Sequence, residues 1–140
     1  MVNLTIAGLV HRYADAVCRR DPDQWASCWA KDGVWVLDAE CQVHGRGAIV
    51  EQWASEMAKY RAVIQLVANG DWSLDGHEAT GRWYIHEYNR RSDGSSAILV
   101  AYYDDGYRRT GGDWLFTRRQ LTRLYQGPPD LAGDFVSRDQ

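Results

Sequence analysis

Two pairs of adjacent side chains in this sequence have the right chemistry to move a proton. His86 precedes Glu87, and Asp104 precedes Asp105. Histidine titrates near neutral pH and suits general acid–base catalysis. A carboxylate in an apolar cavity also becomes a better base, because burial raises its pKa. These residue types predict acid–base chemistry by His86 and by one of the two aspartates.

Both pairs lie in segments with the pattern of long strands, and this limits which member of each pair can act. Successive side chains of a strand point to opposite faces, so one of His86 and Glu87 must face inward. The sequence leaves open which of the two it is, and His86 is the acid–base candidate because histidine titrates near neutral pH. For the aspartates, the alternative to catalysis is an ion pair with Arg108 or Arg119.

The aromatic composition points to an organic ligand. The chain has seven tryptophans and eight tyrosines against two phenylalanines, and tryptophan and tyrosine combine apolar area with a polar group. Tyr13 belongs to a run of apolar residues at helical spacing, which predicts that it lies on a buried helix face. A buried tyrosine hydroxyl needs a partner, either a ligand or a backbone carbonyl.

Charge and motifs exclude several classes of function. The net charge of −3 gives no electrostatic basis for nucleic-acid binding. No apolar run has membrane-spanning length and the N-terminus has no signal-peptide pattern, so we expect a cytoplasmic protein. Cys18, Cys28 and Cys41 are odd in number and lack metal-ligand spacing, which predicts reduced thiols and no metal site. No phosphate-binding loop or dinucleotide fingerprint is present, and no cofactor is expected.

The elements that must position these residues are helices first and strands later, which predicts an α+β fold. The helical segments are a first helix from Asn3 or Thr5 to Arg20, a second over Pro22–Ala30 and a third after Gly47. The strand segments are 33–38, 62–69 continuing at 72–74, 78–90, 96–109 and 114–125, and the later strands, joined by short glycine-containing turns, form an antiparallel meander. We therefore predict one domain over residues 1–126 and a C-terminal tail over 127–140 that is weakly ordered from residue 130 onward.

Several stretches resemble a known family. They are the opening pattern RYADAV…RD…W…WA.DGVW.L, GRGAIVEQW at 45–53, ATGRWY at 79–84, YYDDGYRR at 102–109 and DWLFTRR at 113–119. Together they resemble the NTF2-like superfamily, and within it the SnoaL-like group that includes scytalone dehydratase and the bile-acid 7α-dehydratases. The resemblance implies a strongly curved antiparallel or mixed sheet that wraps the N-terminal helices into a cone with a central cavity.

The same resemblance assigns roles to individual residues. It implies that Tyr13 binds a substrate carbonyl or enolate oxygen, and that Arg119 contacts substrate. The aspartate and histidine that the dehydratases use fall at Cys18, expected to be a buried thiol, and at Gln65, and neither replaces its counterpart in proton transfer. The remaining expected walls of the cavity are aromatic: Trp35, Trp53, Trp83 and Tyr103.

These observations lead to two expectations of function. The first is a lyase or isomerase, dehydratase- or cyclase-like, that acts on a small hydrophobic cyclic molecule. The alternative is a non-catalytic ligand-binding or assembly protein on the same scaffold, which the residues at positions 18 and 65 favour. Because NTF2-like domains commonly associate through the outer sheet face, a homodimer or homotrimer is expected.

Overall fold

The structure, a computed structural model, describes residues 4–136. Three helices and six strands follow each other in these residues. The helices are α1 (Ile6–Arg19), α2 (Pro22–Ala26) and α3 (Arg46–Met57), and the strands are β1 (Trp29–Asp38), β2 (Cys41–His44), β3 (Tyr60–Asp75), β4 (Glu78–Arg91), β5 (Ser96–Thr110) and β6 (Asp113–Gly127). The α+β class is confirmed.

All six strands form one curved sheet in the order β2-β1-β6-β5-β4-β3. The pairs are antiparallel except for β1 with β6, which is parallel. The two end strands, β2 and β3, do not pair with each other, so the sheet remains open. The helices lie on its inner face, and the large aromatic core between them includes Tyr13, Trp25, Trp29 and Phe116.

Helix α1 has clear local determinants at both ends. The Thr5 hydroxyl accepts a hydrogen bond from the Gly8 N–H at 2.9 Å, which satisfies a donor at the helix start. At the other end Arg20 adopts a left-handed conformation with φ 55°, and Pro22 begins α2. The predicted start at Thr5 is close to the observed one, whereas Asn3 lies outside the described residues.

Three segments differ from their predicted form. Helix α2 ends at Ala26 rather than Ala30, because β1 already begins at Trp29. The expected polar connection before α3 contains the short strand β2, which pairs with β1. Residues 62–69 and 72–74 form one strand whose register shifts between Val67 and Gly70.

The chain after β6 folds back against the sheet. The Tyr125 hydroxyl donates to the Pro128 carbonyl at 2.8 Å and accepts from the Gly133 N–H at 3.0 Å. Phe135 forms a β-bridge with Tyr125 and stays 61% exposed. The prediction of a weakly ordered tail extends to residues 137–140, which lie outside the described residues.

Candidate functional site

A cavity of about 100 Å³ lies between α1, α3 and the inner face of the sheet. Its apolar wall is formed by Val17, Trp35, Leu37, Trp53, Met57, Val63, Leu99 and Leu121. Its polar wall is formed by Tyr13, Glu56, Tyr60, Gln65, Glu87, Tyr103, Arg123 and Gln126. This mixture suits a ligand that is largely apolar but carries a few polar groups.

Glu87 is the carboxylate of β4 that faces this cavity. The Gln65 amide donates to Glu87 Oε1 at 3.4 Å, and the Asn89 amide donates to Oε2 at 3.3 Å. Burial raises the pKa of Glu87, while these two hydrogen bonds and the charge of Arg123 oppose the rise. A buried carboxylate with a raised pKa is a better proton acceptor than an exposed one.

Tyr13 and Tyr103 both line the cavity, with ring centres 5.9 Å apart, and each hydroxyl influences the pKa of the other. Helix α1 supplies Tyr13 and β5 supplies Tyr103, and each residue is at most 5% exposed. Burial raises the pKa of both hydroxyls, so both remain protonated donors at neutral pH.

A cation lies directly behind the two tyrosines. The Arg119 guanidinium carbon is 3.7 Å from the ring centre of Tyr103 and 4.5 Å from that of Tyr13. Its positive charge lowers the pKa of both hydroxyls and so opposes the effect of burial. This placement makes each hydroxyl a stronger hydrogen-bond donor toward a developing negative charge.

Arg119 is held by Asp105 in a buried ion pair. Arg119 Nε and Nη2 donate to the two carboxylate oxygens at 2.7 and 3.0 Å, and the paired side chains are 1% and 0% exposed. The Tyr107 hydroxyl also donates to Asp105 at 2.7 Å, and the Trp83 indole donates to Tyr107 at 3.1 Å. This network satisfies the charge of Asp105, which supports the ion-pair alternative for that aspartate.

Five of the residues expected in the site line the cavity: Tyr13, Trp35, Trp53, Gln65 and Tyr103. Asp105, Arg119 and Trp83 lie behind its wall in the buried network rather than at its surface.

Two expected acid–base residues lie on the outer face of the sheet. His86 is exposed, because the alternation along β4 directs Glu87 inward in its place. Asp104 forms an ion pair with Arg82 at 2.8 Å, with both side chains nearly half exposed. The two catalytic candidates His86 and Asp104 therefore lie outside the cavity.

Cys18 is exposed rather than buried. Its sulfur accepts from the Gln65 N–H at 3.2 Å and donates to the Gln65 carbonyl at 3.3 Å. Strand β3 is the last strand of the sheet, so the thiol satisfies backbone groups that no further strand can reach. Cys18 thus attaches α1 to the edge of the sheet and does not line the cavity.

Sequence reasoning missed several polar residues around the cavity mouth: Glu56, Tyr60, Arg123 and Gln126. They come from the end of α3, the start of β3 and the end of β6, and no short sequence motif connects these segments. The sequence offered Glu87 as the alternative to His86, because strand alternation requires that one of these two residues face inward.

Within residues 4–136 no cluster of three or more histidine, cysteine or carboxylate side chains could hold a metal ion. All four histidines belong to this part of the chain, and none of them lines the cavity. None of the helices described is long and apolar enough to cross a membrane.

Comparison with known proteins identifies relatives of this architecture. A family model described as a SnoaL-like domain matches residues 3–120. No curated protein matches the chain.

Three solved structures illustrate the likeness. A candidate scytalone dehydratase from Novosphingobium aromaticivorans has 19% identity and a TM-score of 0.82, with 95% of this chain and 87% of that chain covered. A hexachlorocyclohexane dehydrochlorinase, LinA-type3 from Novosphingobium barchaimii, has 19% identity and a TM-score of 0.79, with 96% and 92% covered. A candidate dehydratase of the NTF2-like family from Streptomyces avermitilis has 15% identity and a TM-score of 0.76, with 86% and 94% covered. At these identities the likeness shows the fold alone.

Proposed function

The chain belongs to the SnoaL-like domain family, and from this premise we propose that it is an acid–base enzyme, a lyase or an isomerase. Its substrate is a small cyclic carbonyl compound. The observation that carries the proposal is the meeting of a half-buried carboxylate, Glu87, with two buried hydroxyl donors, Tyr13 and Tyr103, in one cavity. A carboxylate base opposite a tyrosine donor is an arrangement that enzymes use to move protons next to carbonyls.

In the proposed reaction Glu87 accepts a proton from the carbon next to the carbonyl. The electron pair of the broken C–H bond forms a C=C bond, and the carbonyl π electrons move to oxygen. Tyr13 donates a hydrogen bond to that oxygen, and Tyr103 supports Tyr13. Such a donor typically contributes about 3 kcal/mol to the transition state.

The intermediate then has two fates. In an isomerisation, the protonated Glu87 returns the proton to a different carbon. In an elimination, the enolate oxygen re-forms the C=O bond, and the electron pair of the enolate C=C bond forms a new C=C bond between the α and β carbons. The leaving group departs from the β carbon with its bonding pair, and Glu87 gives up its proton to the leaving group or to water. The three similar structures described above carry the names of two dehydratases and a dehydrochlorinase, which supports elimination.

The size of the cavity supports a single-ring substrate. An apolar protein cavity of about 150 Å³ accommodates benzene, and the cavity here is smaller, about 100 Å³, so it has room for no more than a single ring. Its mouth is lined by Glu56, Tyr60, Arg123 and Gln126, so polar substituents would lie at that end.

A second candidate function is ligand binding without catalysis. It is favoured by Gln65, which stands where the resembling dehydratases carry a histidine and which cannot accept a proton. Cys18 supports it as well, because its thiol is bonded to the backbone of β3.

Proton exchange in D₂O separates the two candidates without knowledge of the natural substrate. Cyclohexanone is incubated with the protein, and loss of the signals of the protons next to the carbonyl is followed by NMR. We expect exchange above the buffer rate, its loss in Glu87→Gln and no change in the matched variant His86→Gln. Absence of exchange, or equal exchange in Glu87→Gln, would leave ligand binding as the function.

A further inference from the structure

Two residues that line the cavity each carry a buried side-chain polar atom with no hydrogen-bond partner in the described part of the chain. These atoms are the side-chain oxygen Oε1 of Gln65 and the indole nitrogen Nε1 of Trp35. Both residues line the cavity, and each is 5% exposed. Buried polar atoms without partners are uncommon and costly, so each requires an explanation.

The orientation of the Gln65 amide is set by its neighbour. Gln65 Nε2 donates to the Glu87 carboxylate. A rotated amide would direct Oε1 at the carboxylate oxygen, and two acceptors would repel each other. Oε1 therefore remains an acceptor without a partner among the described residues.

Trp35 presents the opposite hydrogen-bonding character on the other side of the cavity. It belongs to β1, and three strands separate β1 from β3, which carries Gln65. The rings of Trp35 and Tyr13 both pack against Trp25, with ring centres 5.3 Å from that ring in each case. Hydrogen-bond donors thus gather near Tyr13, and acceptors gather near Gln65 and Glu87.

We propose that the ligand of this cavity is a ring with an oxygen acceptor on one side and a free hydroxyl on the other. The acceptor faces Tyr13 and Trp35, and the hydroxyl donates to Gln65 Oε1. The inference rests on the proposed function for the carbonyl end of the ligand and adds the hydroxyl end. Gln65 is then the residue that selects for the hydroxyl, because a ligand without it leaves a buried acceptor unpaired.

Three ketones of graded size test this selection. The probe is 4-hydroxycyclohexanone, and its two references are cyclohexanone, which is smaller, and 4-methoxycyclohexanone, which is larger. Both references lack the donor. Dissociation constants are measured by NMR titration or calorimetry for the unmodified chain, for Gln65→Met and for Gln120→Met, a matched control on the outer face of β6.

We expect the unmodified chain and Gln120→Met to bind the hydroxyketone about tenfold more tightly than either reference. In Gln65→Met this preference should fall to within twofold. Equal binding of the three ketones by the unmodified chain, binding of none of them, or a preference that survives in Gln65→Met would overturn the inference. Thermal unfolding of Gln65→Met checks that this variant folds. If it does not fold, the hydroxyl preference of the unmodified chain still tests the inference.

This experiment measures dissociation constants, whereas the experiment for the proposed function measures proton exchange. Proton exchange without a hydroxyl preference removes only the role of Gln65. A hydroxyl preference without proton exchange removes catalysis and leaves a binding site for a hydroxylated ring.

Discussion

Replacing Arg119 by methionine tests whether the ion pair behind the cavity contributes to stability as its burial indicates. The substitution keeps an unbranched side chain of similar length but removes the cation. Asp105 would then remain buried with one donor, the Tyr107 hydroxyl. The rings of Tyr13 and Tyr103 would at the same time lose the guanidinium that lies against them.

The expected loss is large because both partners are almost fully buried. Removal of one partner from a buried ion pair typically costs about 3–5 kcal/mol, since the other charge is left uncompensated. For a domain of this size that corresponds to a fall in Tm of about 10–15 °C. The double variant Asp105→Asn with Arg119→Met leaves no buried charge, so it should recover at least about half of the loss despite carrying two changes.

The pH dependence of Arg119→Met follows from the pKa of Asp105. Burial already raises the pKa of this carboxyl above its ordinary value of 3.8, and loss of Arg119 removes the charge that opposes the rise. A group whose pKa is raised by folding destabilises the folded state as the pH increases through the interval between its unfolded and folded pKa values. The deficit of Arg119→Met should therefore be larger at pH 7 than at pH 4.

Urea unfolding followed by tryptophan fluorescence measures these differences, with the double variant as the reference for other titrating groups. Arg82→Met is the matched control, because the Arg82–Asp104 pair is nearly half exposed and should contribute less than about 1 kcal/mol. A loss below about 1 kcal/mol in Arg119→Met at pH 7 would refute the reasoning. A difference between the single and double variants that does not change with pH would refute it as well.

Three further results are expected. Tyr13→Phe should lower the rate of proton exchange of cyclohexanone in D₂O by about 10²–10³ while the melting temperature changes little, and an unchanged rate would exclude the hydroxyl from the reaction. The exchange rate should fall as Glu87 is protonated at low pH, and the midpoint of this fall should lie above the ordinary pKa of 4.5 because burial raises the pKa of Glu87. Glu87→Gln should also unfold at a higher urea concentration than the unmodified chain at pH 7. The reason is that it removes a charge whose burial becomes more costly as the pH rises. Gly70→Ala should destabilise the chain by about 1–3 kcal/mol, since a Cβ there overlaps the Trp83 ring, whereas Gly47→Ala in α3 meets no atom within 4 Å and should be neutral or slightly stabilising in thermal unfolding.

Local chemistry made much of the fold predictable from the sequence. The apolar spacing of the first helix, its Thr5 cap and the Asp21-Pro22 restart determine where α1 and α2 begin. The turns between the long strands contain Gly76, Gly94 and the pair Gly111-Gly112, all with positive φ, the conformation that favours glycine. These signals act over a few residues, and a single sequence therefore reveals them.

Only the tertiary structure decided which of His86 and Glu87 faces the cavity. Alternation along β4 requires that one of His86 and Glu87 face inward, but both faces of that strand carry aromatic side chains, such as Trp83 on one and Tyr84 on the other. The pattern of β4 alone therefore does not distinguish inside from outside. Packing of α1 and α3 against one face of the sheet decides it.

The sequence by itself determined the family, the α+β class and Tyr13 as a buried residue of the first helix, because each of these depends on neighbouring residues or on a recognisable pattern. Only the tertiary structure paired Asp105 with Arg119, attached Cys18 to the backbone of Gln65 and brought Glu87 to the cavity. These contacts join residues from different elements. Their geometry depends on strand register and sheet curvature, which the chain acquires only when the whole core packs.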